Sequence, residues 1–290
     1  MHIPASMLHG NICPVTLGVG ATGLALAARA ALKSKDRPNT LKFAAVTALI
    51  FALQMLNFPI QNGTSGHLLG AILAVAILDI PFAILSMSLV LAVQALLFGD
   101  GGLNAMGANI INMAFIGAGV LGLCLRALTQ KIGRNQALFV ACWVSVVMAA
   151  IACSFEVALS GTVALSKVLP AMFAVHALIG IGEAVITICV ISLLKLWQKN
   201  DQTLSFGVFS LAALAAFVSP LASSFPDGLE YVANKLGFVR HGGNTFAAIF
   251  SNYQVSFVSG SASTIMAGFI GVVTAAFAAA VVNRWLVKGE

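Results

Sequence analysis

Nine apolar stretches govern what this chain can fold into. They fall at 14–33, 41–57, 66–78, 80–98, 104–127, 136–160, 168–198, 204–223 and 260–286. A bilayer-spanning helix needs about 20 apolar residues, and most of the runs approach or exceed that. Only 8% of the 290 residues are charged, against about 25% in a soluble domain. The expectation is an all-α integral membrane protein with about nine transmembrane helices. The third run is short, and Asp79-Ile80-Pro81 separates it from the fourth. Proline suits the first turn of a helix, where its missing N–H has no partner to lose. Two helices are therefore expected there rather than one.

Loop charges test the count. With the N-terminus outside and strict alternation, the inner side receives Lys33, Lys35, Arg37, Lys42, Arg126, Lys131, Arg134, Lys195, Lys199, Arg284 and Lys288. The outer side receives Lys167, Lys235 and Arg240. That bias follows the positive-inside rule, and it requires both 66–78 and 80–98 to cross. The C-terminus then lies inside. The net charge of +6 is thereby explained by orientation among membrane lipids, and no nucleic-acid partner is expected. The first ten residues lack the basic start and cleavage site of a secretory signal, so Met1 is expected to be the mature N-terminus.

The longest non-helical stretch, 224–259, forms an outer loop whose part Pro226–Leu236 is expected to make a short surface helix. The chain divides into a seven-helix unit, 1–200, and a two-helix unit, 201–290, joined by "QKNDQT" at 198–203. The cysteines Cys13, Cys124, Cys142, Cys153 and Cys189 form no CxxC pair. They read as small core or lipid-facing residues.

The topology places His2 and His67 at the same outer face. An amine–Met–His start offers an α-amine, a backbone amide nitrogen once deprotonated, and an imidazole nitrogen in one plane. His67 would supply a fourth nitrogen. Four planar nitrogens suit Cu(II) or Ni(II), whereas zinc favours a tetrahedron. "NGTSGH" precedes His67, with Thr64 or Ser65 as a candidate helix cap. "LFGDGGLNAMGANIINM" holds Asp100, Asn104 and Asn109. One reading is an outer turn with Asn104 as N-cap; the other is a set of partners that orient His67 or Met1. Gln54, Asn57, Ser65 and Gln94 are further polar candidates around the site. His176 and Glu183 lie seven residues apart on one helix face and are functional candidates because ionisable groups are rare inside membranes. His9 and His241 read as solvated loop histidines. No GxxxxGK[ST] loop occurs, so the chain has no ATPase of its own.

Four segments, "MHIP" at 1–4, "QMLNFPIQNGTSGHLLGA" at 54–71, "VQALLFGDGGLNAMGANIINM" at 93–113 and "GIGEAVIT" at 180–187, resemble the substrate-binding membrane subunit (S component) of energy-coupling-factor nickel and cobalt transporters, the CbiM/NikM family. "SSFPDGLE" at 223–230 resembles the motif of the small two-helix component of the same systems, here fused C-terminally. The resemblance implies Met1, His2 and His67 as metal ligands. It implies Ni(II), or alternatively Co(II), as transported substrate rather than resident cofactor. It further implies a coupling membrane subunit (T component) and ABC ATPase subunits as partners, no enzymatic activity, and a multi-pass place in a bacterial or archaeal cytoplasmic membrane. The chain departs from the family in reading Pro4-Ala5-Ser6 where many relatives carry an acidic residue after "MHI". Two rival readings are a proton-coupled secondary metal transporter and a membrane enzyme using His176 and Glu183 as an acid–base pair.

Overall fold

The computed structural model describes residues 2–239 and 248–288. Its helices are α1 (Ile12–Lys33), α2 (Thr40–Gln54), α3 (Ala71–Leu78), α4 (Ile80–Val93), α5 (Met106–Asn109), α6 (Leu121–Ile132), α7 (Arg134–Leu159), α8 (Leu165–Leu194), α9 (Asp201–Val218), α10 (Gly228–Leu236) and α11 (Ser261–Lys288). Wider π-type turns prolong α4 to Phe98 and join α5 to α6, so Met106–Ile132 runs as one rod. Among the described residues, seven helices are long and apolar enough to span a membrane, and α2 is a shorter apolar helix. A two-residue hairpin pairs Phe58–Pro59 (β1) antiparallel with Ser65–Gly66 (β2).

Hydrogen bonds sort the loops into two ends. At one end the Ser160 and Thr162 hydroxyls donate to the Met7 carbonyl, Ser65 donates to Phe225, and the Phe250 amide donates to Leu97. At the other end Lys42 pairs with Asp201 at 3.3 Å, Arg126 pairs with Asp79, and the Asn283 amide group donates to Thr40. These are the two groups of loops that the charge bias separates.

The third apolar run differs from expectation. Only Ala71–Leu78 is helical; its eight residues rise about 12 Å, well short of a 30 Å hydrocarbon core. Residues 65–70 precede it with no helix and are buried. At about 3.3 Å per residue they add roughly 20 Å, so the segment still connects the two ends. Non-helical backbone is tolerated at membrane depth only when buried and satisfied within protein. Here Glu183 satisfies it: its carboxylate accepts from the Leu69 amide at 2.6 Å and the Gly70 amide at 3.0 Å. Gln54 donates to the Leu69 carbonyl at 2.7 Å. Gly70 sits at φ +77, left-handed backbone that glycine adopts without penalty. The break before α4 follows the sequence, with Pro81 in the first turn.

α2 is the hub of the bundle. Of its 15 residues, 11 are buried, between α4 on one side and α9 and α11 on the other. A Cβ on Gly271 of α11 would lie 2.0 Å from the Phe51 ring of α2, so the absence of a side chain sets that approach. α10 begins at Gly228, with Asp227 as N-cap and Glu230 completing a reciprocal capping box. It is not a free surface helix: Gly228, Leu229, Val232 and Ala233 are buried, and it packs on α8.

Candidate metal centre

The N-terminal segment folds inward because its apolar side chains are anchored. Ile3 and Leu8 are fully buried and Met7 nearly so. The backbone of Ile3 is held on three sides. Its amide donates to Asn109 Oδ1 at 2.9 Å, Asn109 Nδ2 donates back to its carbonyl at 3.2 Å, and the Gly102 amide donates to the same carbonyl at 3.1 Å. Asn104 Nδ2 donates to the carbonyls of Ala5 and Leu8. Gly102 must be glycine: a Cβ there would lie 2.4 Å from the Ala5 backbone. The "GDGGLNAMGAN" loop is therefore a cradle for residues 3–8. This corrects Asn104 as an N-cap, since α5 starts with Ala105 in that place and no side-chain cap.

His67 arrives from the hairpin. Ser65 and Thr64 do not cap a helix. Their hydroxyls donate to the Phe225 and Pro226 carbonyls, because α3 begins four residues after His67. The Asn57 carbonyl accepts from the Ser223 amide. Both sides of the hairpin are thus tied to 223–226, ahead of α10.

The cradle and the hairpin bring His2 and His67 together. Both are 8% exposed. Their rings stack with centroids 5.1 Å apart and planes at 14°. They share a cavity of about 330 Å³ with Gln54, Asn57, Asp100, Asp227 and Tyr253. His67 Nδ1 lies 3.1 Å from the Leu68 carbonyl. A carbonyl only accepts, so Nδ1 carries the proton and Nε2 keeps the lone pair. His2 Nδ1 is 3.4 Å from Asp100 Oδ1, and the Tyr253 hydroxyl donates to Asp100 Oδ2 at 2.6 Å. Burial pushes the His2 imidazole below the usual histidine range, so it is neutral at pH 7 and able to ligate. Burial resists ionisation of Asp100, but His2 and the Tyr253 hydroxyl outweigh it and hold the carboxyl below its ordinary value.

Among the described residues, no group of three or more His, Cys, Asp or Glu side chains converges as a metal site. The donor set available here is two imidazoles plus backbone nitrogen. Met1 lies outside the described residues, as does His241. His9 is half-buried. Gln94 is fully buried, within reach of His2 and Tyr253.

His176 and Glu183 do not form an acid–base pair. His176 Nδ1 donates to the Met172 carbonyl at 2.9 Å, and both Glu183 oxygens serve the 69–70 backbone. With His67 they border a cavity of about 10 Å³, space for about one water and none for a substrate. Sequence reasoning missed Asp227 and Tyr253. Asp227 sits in the quoted "SSFPDGLE", but its place beside His67 depends on docking across 160 residues. Tyr253 carried no motif.

Comparison with known proteins bears on this site. Residues 2–201 match the family model described as a cobalt uptake substrate-specific transmembrane region, and residues 202–289 match the PDGLE domain. A putative fused nickel transport protein NikMN of Archaeoglobus fulgidus is 33% identical over 94% of this chain and 95% of its own length. A cobalt transport protein CbiM of Thermosipho melanesiensis is 31% identical over 58% of this chain and 74% of its own. A crystal structure of a truncated transition metal transporter superposes with a TM-score of 0.61 at 36% identity, covering 68% of this chain and 99% of that one.

Proposed function

The chain belongs to the cobalt uptake substrate-specific transmembrane family, with a PDGLE domain fused behind it, and from that premise we propose that it captures Ni(II) outside the cell and passes it inward as the substrate-specific subunit of an ATP-driven importer. It is a multi-pass membrane protein and a transport protein rather than an enzyme. The ligands are the Met1 amine, the His2 amide and imidazole, and His67 Nε2. The chain crosses a cytoplasmic membrane nine times with its N-terminus outside. A coupling membrane subunit and ABC ATPases supply the work. α1 supports a membrane-embedded partner, since it leaves Gly18, Ala21, Thr22 and Ala25 exposed, a small-residue face of the kind that lets helices approach closely.

The ring pair carries this reading. Two imidazoles on neighbouring corners of a plane, with metal–nitrogen bonds of about 2.0 Å, have centroids roughly 4.5 Å apart. The observed 5.1 Å is close to that distance, and the stacked rings must turn as well as close to face one ion. Amine, deprotonated amide and imidazole impose a strong planar field, which Ni(II) exploits as a low-spin ion and Co(II) less so. The test is spectroscopy of purified, untagged protein loaded with Ni(II). The expected product is yellow and diamagnetic, forms with proton release, and fades below neutral pH because the amide must lose its proton. A paramagnetic six-coordinate spectrum overturns the planar site and moves Co(II) ahead of Ni(II). Metal uptake under a proton gradient in membranes without the ATPases would instead establish a secondary transporter.

A further inference from the structure

The end of the molecule away from the metal cavity carries two neighbouring cavities that metal capture does not use. The smaller, about 60 Å³, is lined by Lys42, Arg134, Lys195 and Gln198 and by apolar side chains of α3, α8 and α9. The larger, about 410 Å³, runs past Asp79, Arg126, Thr129 and Gln130. Ala76 and Arg134 line both. Ala76 stands near the end of the short α3 and puts only a methyl group into the wall between them.

The charges around these cavities do not balance. Lys42 pairs with Asp201 at 3.3 Å, and Arg126 pairs with Asp79. Arg134 and Lys195 have no carboxylate partner among the described residues. Four cations thus meet two carboxylates, which leaves a surplus of two positive charges. The positive-inside rule accounts for basic residues in loops. It does not account for two unpaired bases on one small cavity whose other wall is apolar. That wall is formed by Ile77, Ile191, Leu194 and Leu204. It continues onto the outside of the bundle, where Leu193 and Leu196 are 39% and 69% exposed.

We propose that Arg134 and Lys195 bind the phosphate of an anionic phospholipid, with the headgroup in the smaller cavity and the acyl chains along the exposed apolar side of α8. Basic pockets between membrane helices suit such headgroups. Size favours a lipid over a protein partner. A space of about 60 Å³ admits a phosphate, whereas a polypeptide helix is about 10 Å across. Free phosphate shares the charge but gains nothing from the apolar wall, so the lipid binds more tightly.

The test is native mass spectrometry of the purified full chain in detergent, titrated in parallel with dihexanoyl phosphatidylglycerol, dihexanoyl phosphatidylcholine and inorganic phosphate. Phosphatidylglycerol is expected to bind at least about tenfold more tightly than either of the others, because it alone joins net negative charge to acyl chains. Arg134→Gln combined with Lys195→Gln should weaken phosphatidylglycerol about 30-fold, at about 1 kcal/mol for each base near an anionic headgroup. Both side chains are exposed and unpaired, so the variant should fold, and a thermal melt checks that it does. Lys33→Gln combined with Lys35→Gln removes the same charge from exposed positions between α1 and α2, outside both cavities. Salt screens charges beyond about 8 Å, and this control should change the affinity by less than about threefold. Equal losses in the two double variants would reduce the effect to diffuse surface charge and overturn the proposal. Phosphate binding as tight as phosphatidylglycerol would make this a free-anion site and overturn the lipid assignment. Parent-like lipid affinity in the Arg134 and Lys195 variant, with loss of a co-purifying coupling subunit, would assign the face to a protein partner instead.

Discussion

Two buried histidine environments in this molecule look alike by exposure and differ in what the second ring nitrogen faces. His67 is 8% exposed and His176 is 1% exposed, and both border the same water-sized cavity. His176 spends Nδ1 on a carbonyl of its own helix and packs Nε2 against Gly228. His67 spends Nδ1 on Leu68 and turns Nε2 into a cavity some thirty times larger, beside a second imidazole and two carboxylates. The contrast teaches that burial alone does not mark a site in a membrane protein. A ring nitrogen that faces an open cavity, another imidazole and two carboxylates does.

The sharpest way to break the comparison is to remove one histidine of each kind. On the proposed ligand set, His67→Ala deletes one of four ligands and should weaken Ni(II) binding beyond the about 10- to 100-fold typical of losing an outer partner. One residue added before Met1 should do the same, because it moves the α-amine and turns the original amine into an amide. His176→Gln should leave Ni(II) affinity unchanged while lowering thermal stability, since it disturbs the contact with Gly228. Calorimetry and thermal melts on the same preparations check this. Equal losses of affinity at His67 and His176 would erase the distinction.

Glu183 belongs to the His176 side of the comparison and should behave accordingly. Its two oxygens serve two backbone amides of the extended segment after His67. Glu183→Gln leaves one oxygen to accept where two did, and the amide group brings N–H donors where acceptors are needed. Hydrogen bonds to charged groups are worth about 1.5–3 kcal/mol, so a stability loss of about 2 kcal/mol is expected, read by chemical or thermal unfolding. Affinity should fall by a smaller factor than in His67→Ala, since His67 keeps its ring and its Leu68 bond. A full loss of binding with no change in stability would make Glu183 part of the site rather than of its support.

How much of this was legible in the residues follows the same line. Membrane helices were legible because hydrophobic length is a local property, and the pairing of loops at two ends followed from counting Lys and Arg. The meeting of His2 and His67 was legible because the alternation of membrane helices puts both at one face, where their rings stack. The 66–70 stretch was not. Hydropathy reports burial and says nothing of whether buried backbone satisfies itself as a helix or borrows the carboxylate of Glu183, 114 residues away in sequence. Asn104 read as a cap because Asn before a helix usually is one, yet the inward-folded N-terminus offered it two carbonyls instead. Asp227 was visible as a motif residue and invisible as a neighbour of His67, since only the docking of α10 on α8 brings them together.

The smallest expected effect lies in the cradle and distinguishes its two asparagines. Asn109 is 3% exposed and bonds both the amide and the carbonyl of Ile3, one residue from His2. Asn109→Ala leaves the buried Ile3 amide unpaired, at about 1–3 kcal/mol, while the Ile3 carbonyl keeps the Gly102 amide, and the loosened residue is next to the proposed ligand His2. A loss of about tenfold in Ni(II) affinity corresponds to about 1.4 kcal/mol of that strain reaching the site. Asn104 is exposed, and the carbonyls it serves, on Ala5 and Leu8, lie three and six residues beyond His2. Water replaces much of what Asn104→Ala removes, so the net loss is about 0.5–1.5 kcal/mol in the order of the inner segment, with affinity lowered only severalfold. Calorimetry on the two variants side by side ranks them. If Asn104→Ala weakens binding more than Asn109→Ala, the grip on Ile3 is not what places His2, and the outer turn of the N-terminal segment takes over that role.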